Sequence, residues 1–163
     1  MISVVAPTTR KATIDDADCV RRLVSLAYSL YVDRIGRRPA PMDADFDSLI
    51  ANSHVWVAED AGEMVGVVIL EACEDHLFVE NLAVHPSRQG HGVGGQLLAL
   101  AEAQALAASK TELRLYTNER MVENLGYYTR RGFIETHRAR SEGFDRVYFV
   151  KPLDSQSVTP ESP

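Results

Sequence analysis

The sequence predicts a single α/β (α+β) domain, a mixed and mostly antiparallel twisted sheet flanked by helices, and three observations carry that expectation. The runs "HVWVAED", "MVGVVILEA" and "HLFVENLAV" are rich in β-branched and aromatic residues. They are separated by Ala61-Gly62-Glu63 and by the polar break Glu74-Asp75, the pattern of three antiparallel strands. From Gly94 the apolar residues Leu97, Leu98, Leu100, Ala101, Ala105 and Leu106 recur at helical spacing, so a helix begins at a glycine cluster and reaches about Ser109. After it come "TELRLYT", a short strand, then "ERMVENLGYYTRR", a helix ended by Gly132, and finally "FIETHRAR" with "DRVYFVKPL", a hairpin around Ser141-Glu142-Gly143.

The N-terminal part supplies one strand and two helices. "TTRKAT" alternates weakly and predicts an edge strand. Asp15, Asp16 and Asp18 are the acidic residues favoured in a first helical turn, and a helix is expected from about Asp16 to Val32 with Cys19, Val20, Leu23, Val24, Ala27 and Leu30 on one face. Gly36, Pro39 and Pro41 break that pattern, and Asp43 is placed to cap a short second helix reaching about Asn52. The order β-α-α-β-β-β-α-β-α-β-β gives about seven strands and about four helices, with no repeat or linker dividing them. Residues 1–152 are expected to form the domain. Residues 153–163 are expected to be a flexible tail, because "DSQSVTPESP" has too little apolar surface to pack.

With 163 residues and 45% hydrophobic composition, the chain can support one core without disulfides or a metal. Its net charge of −6, with no basic run longer than Arg21-Arg22, Arg37-Arg38 or Arg130-Arg131, argues against a surface built for nucleic acid or anionic lipid. An anionic ligand then needs a local site. Cys19 and Cys73 follow no C-x-x-C spacing and the five histidines are scattered, so neither a disulfide framework nor a bound metal is expected. No leader-like start and no apolar run of roughly 20 residues is present, which points to a soluble, cytoplasmic protein. A homodimer through an exposed strand of the closing hairpin is the default assembly.

The stretch "VHPSRQGHGVGGQLL" satisfies G-x-G-x-x-G through Gly90, Gly92 and Gly95. A dinucleotide fingerprint sets its glycines directly after a strand and an acidic residue about twenty positions on, at the tip of the next strand. Here His85 to Gln89 intervene, and "LRLYT" ends in Tyr116-Thr117 while Glu112 precedes it, so a nicotinamide cofactor is disfavoured. What remains is a backbone that turns with its N–H groups exposed, next to a helix N-terminus carrying partial positive charge. That is a pyrophosphate cradle in an acidic protein.

"VENLAVHPSRQGHGVGGQLLALAEAQA" resembles the central motif of the GNAT superfamily of acyl-CoA-dependent N-acyltransferases, Gln/Arg-x-x-Gly-x-Gly/Ala, through Gln89, Gly92 and Gly94. "LRLYTNERMVENLGYYTRRGFIE" resembles that family's Asn-x-x-x-Tyr-x-x-x-Gly-Phe segment through Asn124, Tyr128, Gly132 and Phe133. Both motifs occur in the family's order, and the resemblance spans about residues 8 to 152. It implies acetyl-CoA as cosubstrate and splayed central strands, "FVENLAV" and "LRLYT", with the pantetheine arm pairing like an extra strand. It gives Leu82, Ala83 and Val84 a main-chain role. It also gives Gln89, Gly90, His91, Gly92, Val93, Gly94 and Gly95 the pyrophosphate, and Asn124 a cofactor contact. His91 stands where Arg or Lys is common, which shifts the holding of phosphate toward backbone donors. Gly126 falls inside a helix, where it costs on the order of 1 kcal/mol relative to Ala.

Acyl transfer from a thioester to an amine needs a neutral amine, an oxyanion donor and a proton for the thiolate. The main-chain N–H of Leu82 or Ala83 is the oxyanion candidate, and Tyr128 stands where the family often has its general acid. Neighbouring Tyr127 is the decoy. Glu80, two residues before Leu82 and on the same strand face, is the candidate base, and an ordinary salt-bridged or solvated Glu is the equal alternative. For the acceptor amine the candidates are Tyr31 and Arg34 in "YVDRIGRRPAPMD", with Arg37 and Arg38 suggesting a carboxylate on it, and Tyr116 on the later strand. The expected activity is N-acetyl transfer to an amine of a small molecule, amino acid or peptide in a ternary complex. The alternative is a non-catalytic acyl-CoA sensor.

Overall fold

The computed structural model describes residues 5–52 and 54–154, so residues 155–163 of the expected tail lie outside the described residues. Its strands are β1 (Thr8–Lys11), β2 (His54–Asp60), β3 (Glu63–Ala72), β4 (Leu77–Val84), β5 (Glu112–Asn118), β6 (Ile134–Ser141) and β7 (Phe144–Pro152). They form one seven-stranded sheet in the order β1-β2-β3-β4-β5-β7-β6. β1 pairs antiparallel with β2, β2 with β3, β5 with β7 and β6 with β7. β4 and β5 are parallel, as a helical crossover between them requires. Ala61 and Gly62 turn β2 into β3 with φ of 52° and 80°, and Glu142 and Gly143 turn β6 into β7 with 54° and 82°. Paired positive φ is the two-residue hairpin geometry that matches strand twist.

The helices are α1 (Ala17–Tyr28), α2 (Tyr31–Ile35), α3 (Phe46–Asn52), α4 (Val93–Ala107) and α5 (Val122–Arg130). Four of them match the expected helices, and α2 is a single short turn. The expected helix Asp16–Val32 is therefore two: the Ser29 hydroxyl donates to the Leu26 carbonyl at 2.9 Å, and the chain turns before α2. A serine that bonds back to the preceding turn competes with helix continuation. Capping of α3 belongs to Asp45, not Asp43. Asp45 accepts from the Ser48 N–H at 3.2 Å and from its hydroxyl at 3.0 Å, whereas Asp43 ends a 3₁₀ turn and pairs with Arg38 at 2.9 Å. The prolines tighten 40–43 into that turn, and the cap moves two residues on.

The chain clusters into two compact units, Met1–Glu71 with Val79–Leu100 and Ala72–Phe78 with Ala101–Pro163. In the first, Val20, Leu23 and Val24 of α1 and Phe46 of α3 pack on Val57, Val67 and Ile69 of β2 and β3. Each fully buried side chain of this size contributes about 1.5–3 kcal/mol. Arg10 of β1 clamps the entry to α1, donating to both oxygens of Asp16 at 2.8 Å and to Glu59 of β2 at 2.6 Å. In the second unit, Tyr128 of α5 packs by ring contacts on Phe133 and on Phe149 of β7, over a floor that includes buried Leu113 and Leu115. Among the described residues, no helix is long and apolar enough to cross a membrane.

Candidate active site

In the first unit the glycine loop runs from β4 into α4 through a 3₁₀ turn at Pro86–Arg88. His85 starts that turn, its Nδ1 accepting from the Ser87 N–H at 3.1 Å, and Arg88 anchors it by an ion pair to Asp60 at the end of β2. Gly90 and Gly92 have φ of 81° and 86°, and a Cβ added to either would meet nothing within 4 Å. Glycine is needed there for backbone conformation and not for space. The loop delivers its exposed residues, Gln89 to Gly92, to the first turn of α4, which starts at Val93, one residue before the expected Gly94. The first N–H groups of a helix lack intrahelical acceptors, so the backbone of Val93, Gly94 and Gly95 offers donors to an anion. His91 is exposed. Gln89 donates from Nε2 to the Val84 carbonyl at 3.5 Å.

β4 alternates strictly, with Leu77, Val79, Asn81 and Ala83 buried and Phe78, Glu80, Leu82 and Val84 half-buried. Glu80 and Leu82 thus share a strand face, as the sequence predicts. Burial, with Glu71 nearby as a like charge, raises the Glu80 carboxyl above its ordinary value. The register of β4 with β5 comprises Leu77↔Leu113 and Phe78↔Arg114, whereas β4 runs on to Val84. Asn81, turned to the other face, is met by α1: the Tyr28 hydroxyl lies 3.2 Å from its Oδ1 and 3.4 Å from the Leu82 carbonyl. No motif marks Tyr28; its signal in the sequence is its place four residues after Val24, on the buried face of α1.

Gly66 is likewise marked by no motif. A Cβ there would lie 2.8 Å from Val93 Cγ1 and 2.9 Å from Leu97 Cδ1, so the first turns of α4 rest directly on β3. Of the acceptor candidates in this unit, Tyr31 packs 6.3 Å from the Tyr28 ring and Arg34 lies 5.2 Å over Tyr31. Arg38 is committed to Asp43.

In the second unit Asn124 and Tyr128 are one helical turn apart on α5. Asn124 donates from Nδ2 to Thr117 Oγ1 of β5 at 3.2 Å. Tyr128 is 8% exposed and meets Tyr127 edge to face at 5.3 Å. Tyr127 differs sharply: its hydroxyl is buried with no hydrogen-bond partner, burial raises its phenol, and Arg131 caps its ring at 3.6 Å. At Gly126 an added Cβ would meet the guanidinium of Arg130, at 2.9 Å, the far end of a flexible side chain. Tyr116, the remaining acceptor candidate, lies among Phe78, Tyr148 and Arg146.

This architecture has known counterparts. The family model for the acetyltransferase (GNAT) domain matches residues 51–135. The chain is 29% identical over 141 residues to an aminoalkylphosphonate N-acetyltransferase of Salmonella typhimurium, covering 78% of this chain and 85% of that protein. Its fold is similar to PaiA N-acetyltransferase from Thermoplasma acidophilum in complex with coenzyme A, with TM-score 0.77 and 16% identity over 91% of this chain and 100% of that one. It is similar also to a GNAT family acetyltransferase from Elizabethkingia anophelis with acetyl-CoA bound, with TM-score 0.70 and 20% identity over 91% and 99% of the two chains. With the family motif spanning the strand, glycine loop and helix just described, the chain belongs to the GNAT family of acetyltransferases and is an acetyl-CoA-dependent acyltransferase.

Proposed function

We propose that the protein transfers the acetyl group of acetyl-CoA to the primary amine of a small molecule, by direct attack in a ternary complex. The observation that carries this reading is the junction of β4 with α4: a strand that continues past its last registered partner on β5 and leads through Gly90 and Gly92 into a helix N-terminus. Main-chain groups of Leu82, Ala83 and Val84 pair with the pantetheine arm, and the N–H of Leu82 or Ala83 supports the oxyanion. The pyrophosphate is held by the backbone of Gln89 to Gly95, and Asn124 supports the cofactor from α5. The likeness to an aminoalkylphosphonate N-acetyltransferase supports a small-molecule amine.

Glu80 takes the proton of the incoming ammonium, directly or through water, and its raised carboxyl is the better base for that task. The amine then attacks the thioester carbonyl, the C–S bond of the tetrahedral intermediate breaks as Tyr128 gives its phenolic proton to the departing thiolate, and the second proton, shed by the new amide nitrogen, restores the phenol. The test is to incubate the protein with acetyl-CoA and a panel of amines and to follow thiol release. Acceptor-dependent release is expected. Tight acetyl-CoA binding without release for any amine assigns the protein instead to acyl-CoA sensing.

A further inference from the structure

Four strands of the second unit each place one ring on the same sheet face. Tyr116 of β5, Tyr148 of β7 and His137 of β6 are direct cross-strand partners. The imidazole of His137 stacks on Tyr148 at 4.3 Å with the planes 6° apart, Tyr148 lies 5.6 Å from Tyr116, and Phe78 of β4 lies 5.5 Å from Tyr116. The other face of β5 and β7 is the core under Tyr128, where Leu115, Thr117, Val147 and Phe149 are buried.

At the end of this shelf stands Arg146, 7% exposed in a chain of net charge −6. Its guanidinium lies 4.2 Å over the Tyr116 ring and 5.8 Å from Phe144. Its carboxylate partner, at 3.1 Å, is Glu142, whose side chain is 75% exposed on the hairpin turn. A buried guanidinium has five fixed donors and a strong requirement for an anion, and a counter-ion that is mostly in water is weakly held. The aromatic faces beside it match an alkyl chain, and the fork matches a planar or tetrahedral oxyanion.

We propose that Arg146 and the Tyr116–Tyr148 shelf recognise an acidic group, carboxylate or phosphonate, on the acceptor amine, with the ligand anion displacing Glu142. This moves acid recognition from Arg34, Arg37 and Arg38 to β7, and it rests on the acetyltransferase reading for the identity of the ligand as an acceptor. The test measures calorimetric binding of aminoethylphosphonate, β-alanine and ethanolamine, which carries no acidic group, to the full chain, with thiol release from acetyl-CoA followed in parallel. At least one of the two anionic amines should bind about tenfold or more tighter than ethanolamine, and which one does so distinguishes phosphonate from carboxylate. Arg146→Gln should abolish that preference. Glu142→Ala should tighten the anionic amine roughly threefold or more and leave ethanolamine unchanged. Equal affinities, no binding, a preference that survives Arg146→Gln, or a Glu142→Ala variant with unchanged affinity each overturns the inference. The exposed Glu142 variant decides the matter if Arg146→Gln fails to fold. Arg146-dependent binding without thiol release keeps the anion site and removes the acetyltransferase reading. Equal release with all three amines does the reverse.

Discussion

Gly66 in β3 lies directly beneath Val93, the first residue of α4, with 2.8 Å from the position of a Cβ to Val93 Cγ1. The helix that presents backbone donors to an anion is thereby seated by a hydrogen atom on a strand. Gly66→Ala forces Val93 and Leu97 to move, an overpacking cost of about 1–3 kcal/mol. The melting temperature should fall, and acetyl-CoA affinity measured by calorimetry should fall with it. Unchanged affinity would show that the seat of α4 does not shape the cradle.

Gly92 presents the opposite case, with open space around a Cβ but a φ of 86°. Gly92→Ala should cost about 1–2 kcal/mol in the left-handed region. Gly92→Asp adds a charge facing the proposed pyrophosphate, and acetyl-CoA binding should weaken by a further order of magnitude or more. Equal affinities for the two variants would separate the loop from phosphate binding.

Gly126 should be replaceable. In Gly126→Ala the new methyl meets only the terminal nitrogen of Arg130, which can swing away, and helix propensity improves by about 1 kcal/mol. Thermal denaturation should show a rise and acetyl-CoA affinity should hold. A drop in affinity would mean that the cofactor approaches that turn.

Adjacent tyrosines should separate cleanly. Tyr128→Phe should lower kcat by about 10²-fold or more with acetyl-CoA affinity nearly unchanged, as loss of a general acid does. Tyr127→Phe removes a buried hydroxyl with no partner, so it should leave turnover intact and should not destabilise the fold. If turnover instead follows Tyr127, the proton donor has been assigned to the wrong residue.

Glu80 must be ionised to accept a proton, and its carboxyl is raised from 4.5 by burial and by Glu71. The kcat/KM profile should therefore decline as pH falls through a value above that of an ordinary glutamate, and Glu80→Gln should remove that limb along with most of the activity. Also in the first unit, Asp16 is lowered from 3.8 to about 2 by its hydrogen bonds to Arg10. A folded-state pKa below the unfolded one supplies stability above about pH 4, and that stability is lost as pH falls toward 2. With Arg10 42% exposed, screening limits it to the order of 1 kcal/mol. Asp16→Asn should lower the neutral-pH melting temperature and flatten its decline between pH 4 and 2.

By itself, the amino-acid order determined the succession of strands and helices and the location of the glycine loop between β4 and α4. Both are written in patterns a few residues long: alternation in "HLFVENLAV", helical spacing after Gly94, and four glycines within six residues. The motif residues Gln89, Gly92, Asn124 and Tyr128 could be named from their resemblance to the family's two motifs, which are also local in sequence. Tertiary structure decided what depends on partners far along the chain. Asp45 caps α3 because the prolines had already tightened 40–43, and Tyr28 reaches Asn81 across 53 positions. Gly66 is required only because α4 rests on it, and nothing near Arg146 in sequence announces that Tyr116 will lie under its guanidinium. Periodicity reports which face a side chain takes, but burial, crowding and charge pairing are set by the strands and helices that pack against that face.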